Sequence, residues 1–336
     1  MLNVFETQKK LVSVVAPSGF EDARSKIIEE SVKDYVDEIY RDGIGNLIAH
    51  KKGNGKKILI SSHMDTLGVI VKRITEKGVL TLEQMGNSFP PYLVCTPVKF
   101  CNGLKGNICT SSKVTNLKDF GSIQNKDLYI DIGAKDMNEA KKMISIGDYA
   151  TVDLEPRMLL NNNMTSPYCD DLTGCIASLI AMQNARDTEN DVYYVFSTQE
   201  ELMLGGATVA SHYIEVDMAI SVDVALAGDA PECCEENDIK LGKGPIIEIK
   251  DNSKVCTQSI VKKLRSVEER ENIDYQHSVM GIGGNDGSVI QRSQSGVPTG
   301  VLGIPMRCLH LPCETVNIKD VEDTGRLLAA FINEKF

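Results

Sequence analysis

Positive charge is scarce in this 336-residue chain: 36 Lys and Arg stand against 47 Asp and Glu, a formal net charge of −11 at pH 7. That balance argues against nucleic acid or an anionic membrane surface as partner, and leaves cationic ligands and multivalent metals open. No run approaches the roughly 20 apolar residues that span a bilayer, so no transmembrane helix is expected. The opening stretch, MLNVFETQKKLVSVVAPSGFE, lacks a basic segment leading into an apolar one, and no secretory signal is expected there. The ten cysteines include no C-x-x-C pair. Without an export signal they read as reduced thiols of a cytoplasmic protein, not as a disulfide framework. Cys233-Cys234, within PECCEEND, reads as part of an exposed acidic loop and not as a metal site. Repeats and low-complexity segments are absent as well.

What is present is an ordinary globular composition, 42% hydrophobic and 25% charged, long enough for one large domain or two modest ones. Residues 7 to 38 carry helical spacing, broken at Ala16 to Gly19. GNLIAHKKGNGKKILISSHMD reads as two strands with a Gly/Asn/Lys turn between them, which favours a hairpin-like link. From about Gly68 to Leu154 short alternating β patterns recur, with one convincing helix near Asn138 to Ile144. After that, strand and helix alternate to the end, as in α/β folds. The expected architecture is an α/β domain built from residues 1–67 and 161–336, with a β-rich domain, 68–160, inserted between its halves.

Four apolar, strand-like runs lead into polar residues able to bind metal. KILISS leads to His63-Met64-Asp65, VYYVFST to Gln199-Glu200-Glu201, MAISV to Asp223, and GVPTGVLGIP, a few residues on, to His310. Asp170-Asp171 precedes an apolar helical pattern, Cys175 to Met182. Each has an ordinary reading alone: a core histidine, an N-cap, a turn-opening aspartate, a surface histidine, two solvated glutamates. Ligands of open α/β sheets bind beyond the carboxyl ends of the strands, which is where these residues would gather. Two imidazoles with three or more carboxylates suit a pair of divalent metals such as zinc or cobalt. In such a site one glutamate of the Glu200-Glu201 pair can bind a cation while its neighbour stays free as a general base. Hydrolysis of an amide or phosphate ester is the chemistry this suits best.

The ordered set APSGFE, SSHMDTLG, CDDLTGC, STQEELMLGGA, SVDVA, GKGPIIEIKD, GGNDG and GVPTGVLGIPMR, with His310 and Glu314 following, resembles the TET-type dinuclear metallo-aminopeptidases of metallopeptidase family 42 over almost the whole chain. The resemblance implies a zinc-peptidase-like α/β/α catalytic domain with an inserted PDZ-like dimerisation domain. It implies two divalent metal ions per subunit: His63 and Asp223 on one, Glu201 and His310 on the other, and Asp170 bridging. Glu200 would be the general base toward the attacking water, and Asp65 the carboxylate behind His63. It further implies short peptides as substrates, cleaved at the N-terminus, and dimers assembling into a dodecamer. Leu172, Asn285 and Cys308 stand where the family usually has Arg, Thr and Tyr, and none of the three removes a ligand or the base. The alternative is a related amidohydrolase acting on N-acyl amino acids or other non-peptide amides.

Overall fold

The computed structural model describes residues 2–110, 120–231 and 237–336; Cys233-Cys234 lies outside them. Among the described residues one sheet has eleven strands. Its main path runs Glu38–Arg41, Leu47–Lys51, Asp191–Ser197, Lys57–His63, Met218–Leu226, Thr299–Arg307, Glu314–Asn317, Asn163–Ser166, Arg157–Met158. Ile246–Lys250 branches from Thr299–Arg307 and carries Gln276–Val279.

The strand Lys57–His63 shows why this sheet is covered on both faces. Ile58 and Ile60 enter one hydrophobic core while Leu59 enters another, as the period of two requires. On the first face the helix Cys169–Asn184 is buried nearly all round. It is wedged between the central strands and an outer set of helices, Val4–Val12 and Ile318–Ile332 among them. A helix apolar on every side has to be covered on every side. On the second face Ala207, Ala210 and Ile290 pack from Gly205–Tyr213 and Gly287–Gln291. The result is the three-layered α/β/α arrangement expected of parallel central strands.

The hairpin expected of GNLIAHKKGNGKKILISSHMD does not form. Asp191–Ser197 lies between the two strands, antiparallel to Leu47–Lys51 and parallel to Lys57–His63. The reason lies in the turn. The N–H groups of Asn54 and Gly55 both donate to the Glu189 carbonyl, at 3.0 and 2.8 Å, so the loop grips the incoming chain and does not close on itself. A side chain at Gly53 would start 2.2 Å from the Asn190 carbonyl oxygen, which makes glycine obligatory at that crossing.

Between these segments, six strands close into a barrel in the order Gly68–Ile74, Leu80–Met85, Leu128–Asp131, Lys105–Thr110, Pro97–Phe100, Tyr149–Val152. Alternate residues such as Val69, Val71, Leu82, Val98 and Ile130 fill a core of its own. The barrel begins five residues after His63, so its rim stands beside the carboxyl ends of the central strands.

Candidate metal centre

Asp191–Ser197, Lys57–His63 and Met218–Leu226 run parallel side by side, so their carboxyl ends share one edge of the sheet. His63 closes its strand, Glu200 and Glu201 follow Ser197, and Asp223 lies within Met218–Leu226. Asp170 and Asp171 start the helix Cys169–Asn184, and His310 follows Thr299–Arg307. Tyr168 and Gln199, beside these groups, hold left-handed backbone at φ 61 and 51°. Strain of this kind collects at functional sites.

The centre of the arrangement is Asp170. One carboxylate oxygen lies 3.0 Å from His63 Nε2 and the other 3.2 Å from His310 Nε2. His310 Nε2 is also 3.6 Å from Glu201 Oε2. Glu200 Oε2 is 3.9 Å from His63 Nε2. Two ligand groups result, His63 with Asp171 and Asp223, and Asp170 with Glu201 and His310, each with its donor atoms within 4.8 Å of one another. The cleft they open onto holds about 270 Å³.

The chain fits divalent ions here. The donors are imidazole nitrogens and carboxylate oxygens, the set that zinc, cobalt and manganese accept. Glu201 Oε1 is buried and has no hydrogen-bond partner among the described residues. Burial, with Asp170 next to it, lifts the Glu201 carboxyl to about 8. Burial pushes Glu200 and Asp223 well above the ordinary carboxylate range, helped by their acidic neighbours. For His310 burial disfavours the cation, but Asp170 and Glu201 more than offset it and raise the imidazole to about 10. Carboxylates crowded in low dielectric call for compensating positive charge.

Residues 45–327 match the family of M42 glutamyl aminopeptidases. The chain belongs to that family. As a member of the M42 family it is a hydrolase of the peptidase class that uses divalent metal. A protein of Acetivibrio thermocellus, provisionally named an aminopeptidase, is 38% identical over 330 residues, 98% of each chain. The solved aminopeptidase APDkam598 of the archaeon Desulfurococcus kamchatkensis superposes with a TM-score of 0.94 at 32% identity, covering 98% of this chain and 94% of its own. The TET1 peptidase of Pyrococcus horikoshii, described as assembling into a tetrahedron or a large octahedral shell, gives 0.89 at 30% identity, covering 99% of this chain and 100% of its own.

For several residues around the site, the structure adds an orientation that the sequence alone does not give. Asp171 stands beside Asp170, yet its role depends on orientation: its carboxylate accepts from the N–H of His63 at 3.2 Å and of Gly174 at 3.1 Å. A Cβ at position 174 would sit 2.2 Å from that carboxylate. Asp65 faces His63 Nδ1 with its carbonyl oxygen at 3.3 Å and a carboxylate oxygen at 3.5 Å. It also does something no pattern announces. Its two carboxylate oxygens accept from the N–H groups of Glu200 and Glu201, at 3.0 and 3.2 Å, and Ser18 donates to it as well. Glu314, fully buried, accepts from the N–H of Asp170 and of His310, each at 3.0 Å. Asp286 takes the hydroxyls of Ser61 and Ser197, each at 2.6 Å, beneath the strand ends. In the sequence Glu314 stands out only through the family resemblance, as an acid four residues after His310. Leu172 is packed into the hydrophobic core.

Proposed function

We propose that the protein removes N-terminal residues from short peptides, holding two divalent ions, zinc or cobalt, per subunit. The observation that carries this reading is the placement of the Asp170 carboxylate, one oxygen toward His63 and the other toward His310. His63 and Asp223, with Asp171 in the same group, would hold one ion, and Glu201 and His310 the other, with Asp170 within reach of both. When bound, the ions supply Lewis acidity toward the scissile carbonyl and lower the pKa of the attacking water. The chain itself does the rest. Glu200 takes the proton of that water and passes it to the leaving amine. Asp65, by binding the backbone of Glu200 and Glu201, keeps base and ligand in fixed register. Glu314 does the same for Asp170 and His310. The acidic cleft favours the free α-ammonium of a peptide over a blocked N-terminus.

Exhaustive chelation should abolish cleavage of aminoacyl-nitroanilides and unblocked peptides, and zinc or cobalt should restore it. Elemental analysis of the restored enzyme should find two ions per chain. Activity in verified metal-free protein, or a preference for N-acyl amino acids, overturns the reading. The barrel is proposed to mediate subunit contacts, with dimers assembling into a dodecamer in the cytoplasm. Light scattering tests this, and a monomer at micromolar concentration counts against it.

A further inference from the structure

One wall of the cleft is made by the strand Ile246–Lys250 and the turn after it, where Glu248, Asp251 and Lys254 meet. All three are more than nine-tenths buried. Their hydrogen bonds are unequal. Asp251 is fully engaged: one oxygen accepts from the Ser253 N–H, the Ser253 hydroxyl and the Lys254 N–H at 2.6 to 2.8 Å, and the other takes the Lys254 ammonium. Lys254 also reaches Glu248 Oε1 at 3.0 Å, and the Cys256 thiol lies 3.8 Å from that same oxygen. Glu248, unlike Asp251, takes no backbone N–H in the turn, and it lines the cleft.

The charges around the cleft point the same way. Asp170, Asp171, Glu201 and Asp223 are four carboxylates, which two divalent ions neutralise. Glu248 and Asp251 share the single Lys254 ammonium, so the three groups together keep one net negative charge on this wall. The lining also includes apolar Leu226, Met280, Ile282 and Leu309. An aliphatic stem can lie along such a surface while a terminal cation reaches a carboxylate. At about 270 Å³ the space is small for a ligand site and suits one residue better than a long segment.

We propose that Glu248 is a specificity-determining residue, selecting peptides whose first side chain is cationic, lysine or arginine, and rejecting acidic ones. This rests on the aminopeptidase reading above. The contact is made by Glu248 Oε2 with the substrate ammonium or guanidinium, in a pocket where an incoming carboxylate meets only like charge.

Lysyl, norleucyl and glutamyl substrates of the same leaving group test it, since norleucine keeps the stem of lysine without its charge. The wild-type enzyme should favour lysyl over norleucyl by about tenfold in kcat/KM, with glutamyl last. Raising the salt from low to molar concentration should narrow the lysyl advantage only in part, because a buried pair is weakly screened. In Glu248→Gln the lysyl-to-norleucyl ratio should fall toward one, and glutamyl cleavage should rise. A wild-type preference for glutamyl over norleucyl overturns the proposal. So does a lysyl-to-norleucyl ratio that Glu248→Gln leaves unchanged. Calorimetric binding of peptides headed by lysine or norleucine reads the same contrast without turnover. Failure to cleave any substrate therefore speaks against the aminopeptidase reading, while the binding ratio still decides the role of Glu248.

Discussion

The Nδ1–H of His310 donates to the carbonyl oxygen of Asn87 across 3.0 Å. A ligand candidate from the α/β sheet is thereby oriented by a backbone group from the rim of the barrel, and its Nε2 is turned toward Asp170 and Glu201. Next to Asn87, the Ser88 hydroxyl donates to the His310 carbonyl at 3.0 Å, and the Ser88 N–H donates to the Gln84 side chain at 3.0 Å. Hydrogen bonds behind a ligating histidine set its tautomer and tilt.

Ser88→Ala removes one of these restraints and leaves every ligand in place. Affinity for one of the two proposed ions should fall by about tenfold to a hundredfold, read by titrating metal-free protein, while the other binds as before. The loss of global stability should be only about 1 kcal/mol. If both affinities match the wild type, the Ser88 bond plays no part in holding the ligand.

Glu200 and Glu201 are neighbours, and their isosteric variants should fail differently. Glu200→Gln cannot accept a proton, so kcat should fall by about 10²–10⁴-fold with both ions retained. Glu201→Gln loses an anionic donor and should show weak occupancy of one ion, partly rescued by excess metal. Metal stoichiometry and kcat for both variants decide this. Reversed behaviour would exchange the two roles.

Asp170 touches both ligand groups, whereas Asp223 belongs to one. Asp170→Ala should therefore lose both ions under dialysis that strips only one from Asp223→Ala. Elemental analysis of the two variants, made side by side, is the check. Retention of one tightly held ion in Asp170→Ala would rule out a shared carboxylate.

Asp320 offers a pH test away from the site. Burial lifts its carboxyl from 3.8 to about 6, although the N–H groups of Gly242 and Gly244 hydrogen-bond it and partly oppose the rise. A raised carboxyl keeps its proton in the folded state while the unfolded chain has already lost its own. Stability should therefore fall between about pH 4 and 6, by about 2–3 kcal/mol, and this contribution should be flat outside that window. Asp320→Asn should lose a hydrogen bond at every pH but remove that slope. Denaturant unfolding of both proteins across pH 4 to 7 measures the difference, and parallel curves would refute it.

Local pattern made the chemistry-bearing residues legible as candidates. The apolar runs before His63, Glu200 and Asp223 mark buried strands, because β-branched and aromatic residues alternate or cluster over the length a strand needs. The barrel strands from Gly68 to Val152 announce themselves by period-two alternation, and the acidic balance left a cationic ligand or a metal open. What the sequence left open was who stands beside whom. Nothing local says that Asp191–Ser197 slips between Leu47–Lys51 and Lys57–His63; that follows from backbone pairing on both its edges and from the grip of Asn54 and Gly55 on Glu189. The orientation of Asp171 toward His63, the double use of Glu314 and the meeting of His310 with Asn87 join residues more than a hundred positions apart or turn on a single backbone angle. Strand pairing and hydrogen-bond direction are settled by packing across the whole sheet, where burying one carboxylate without partners costs more than any local preference can supply.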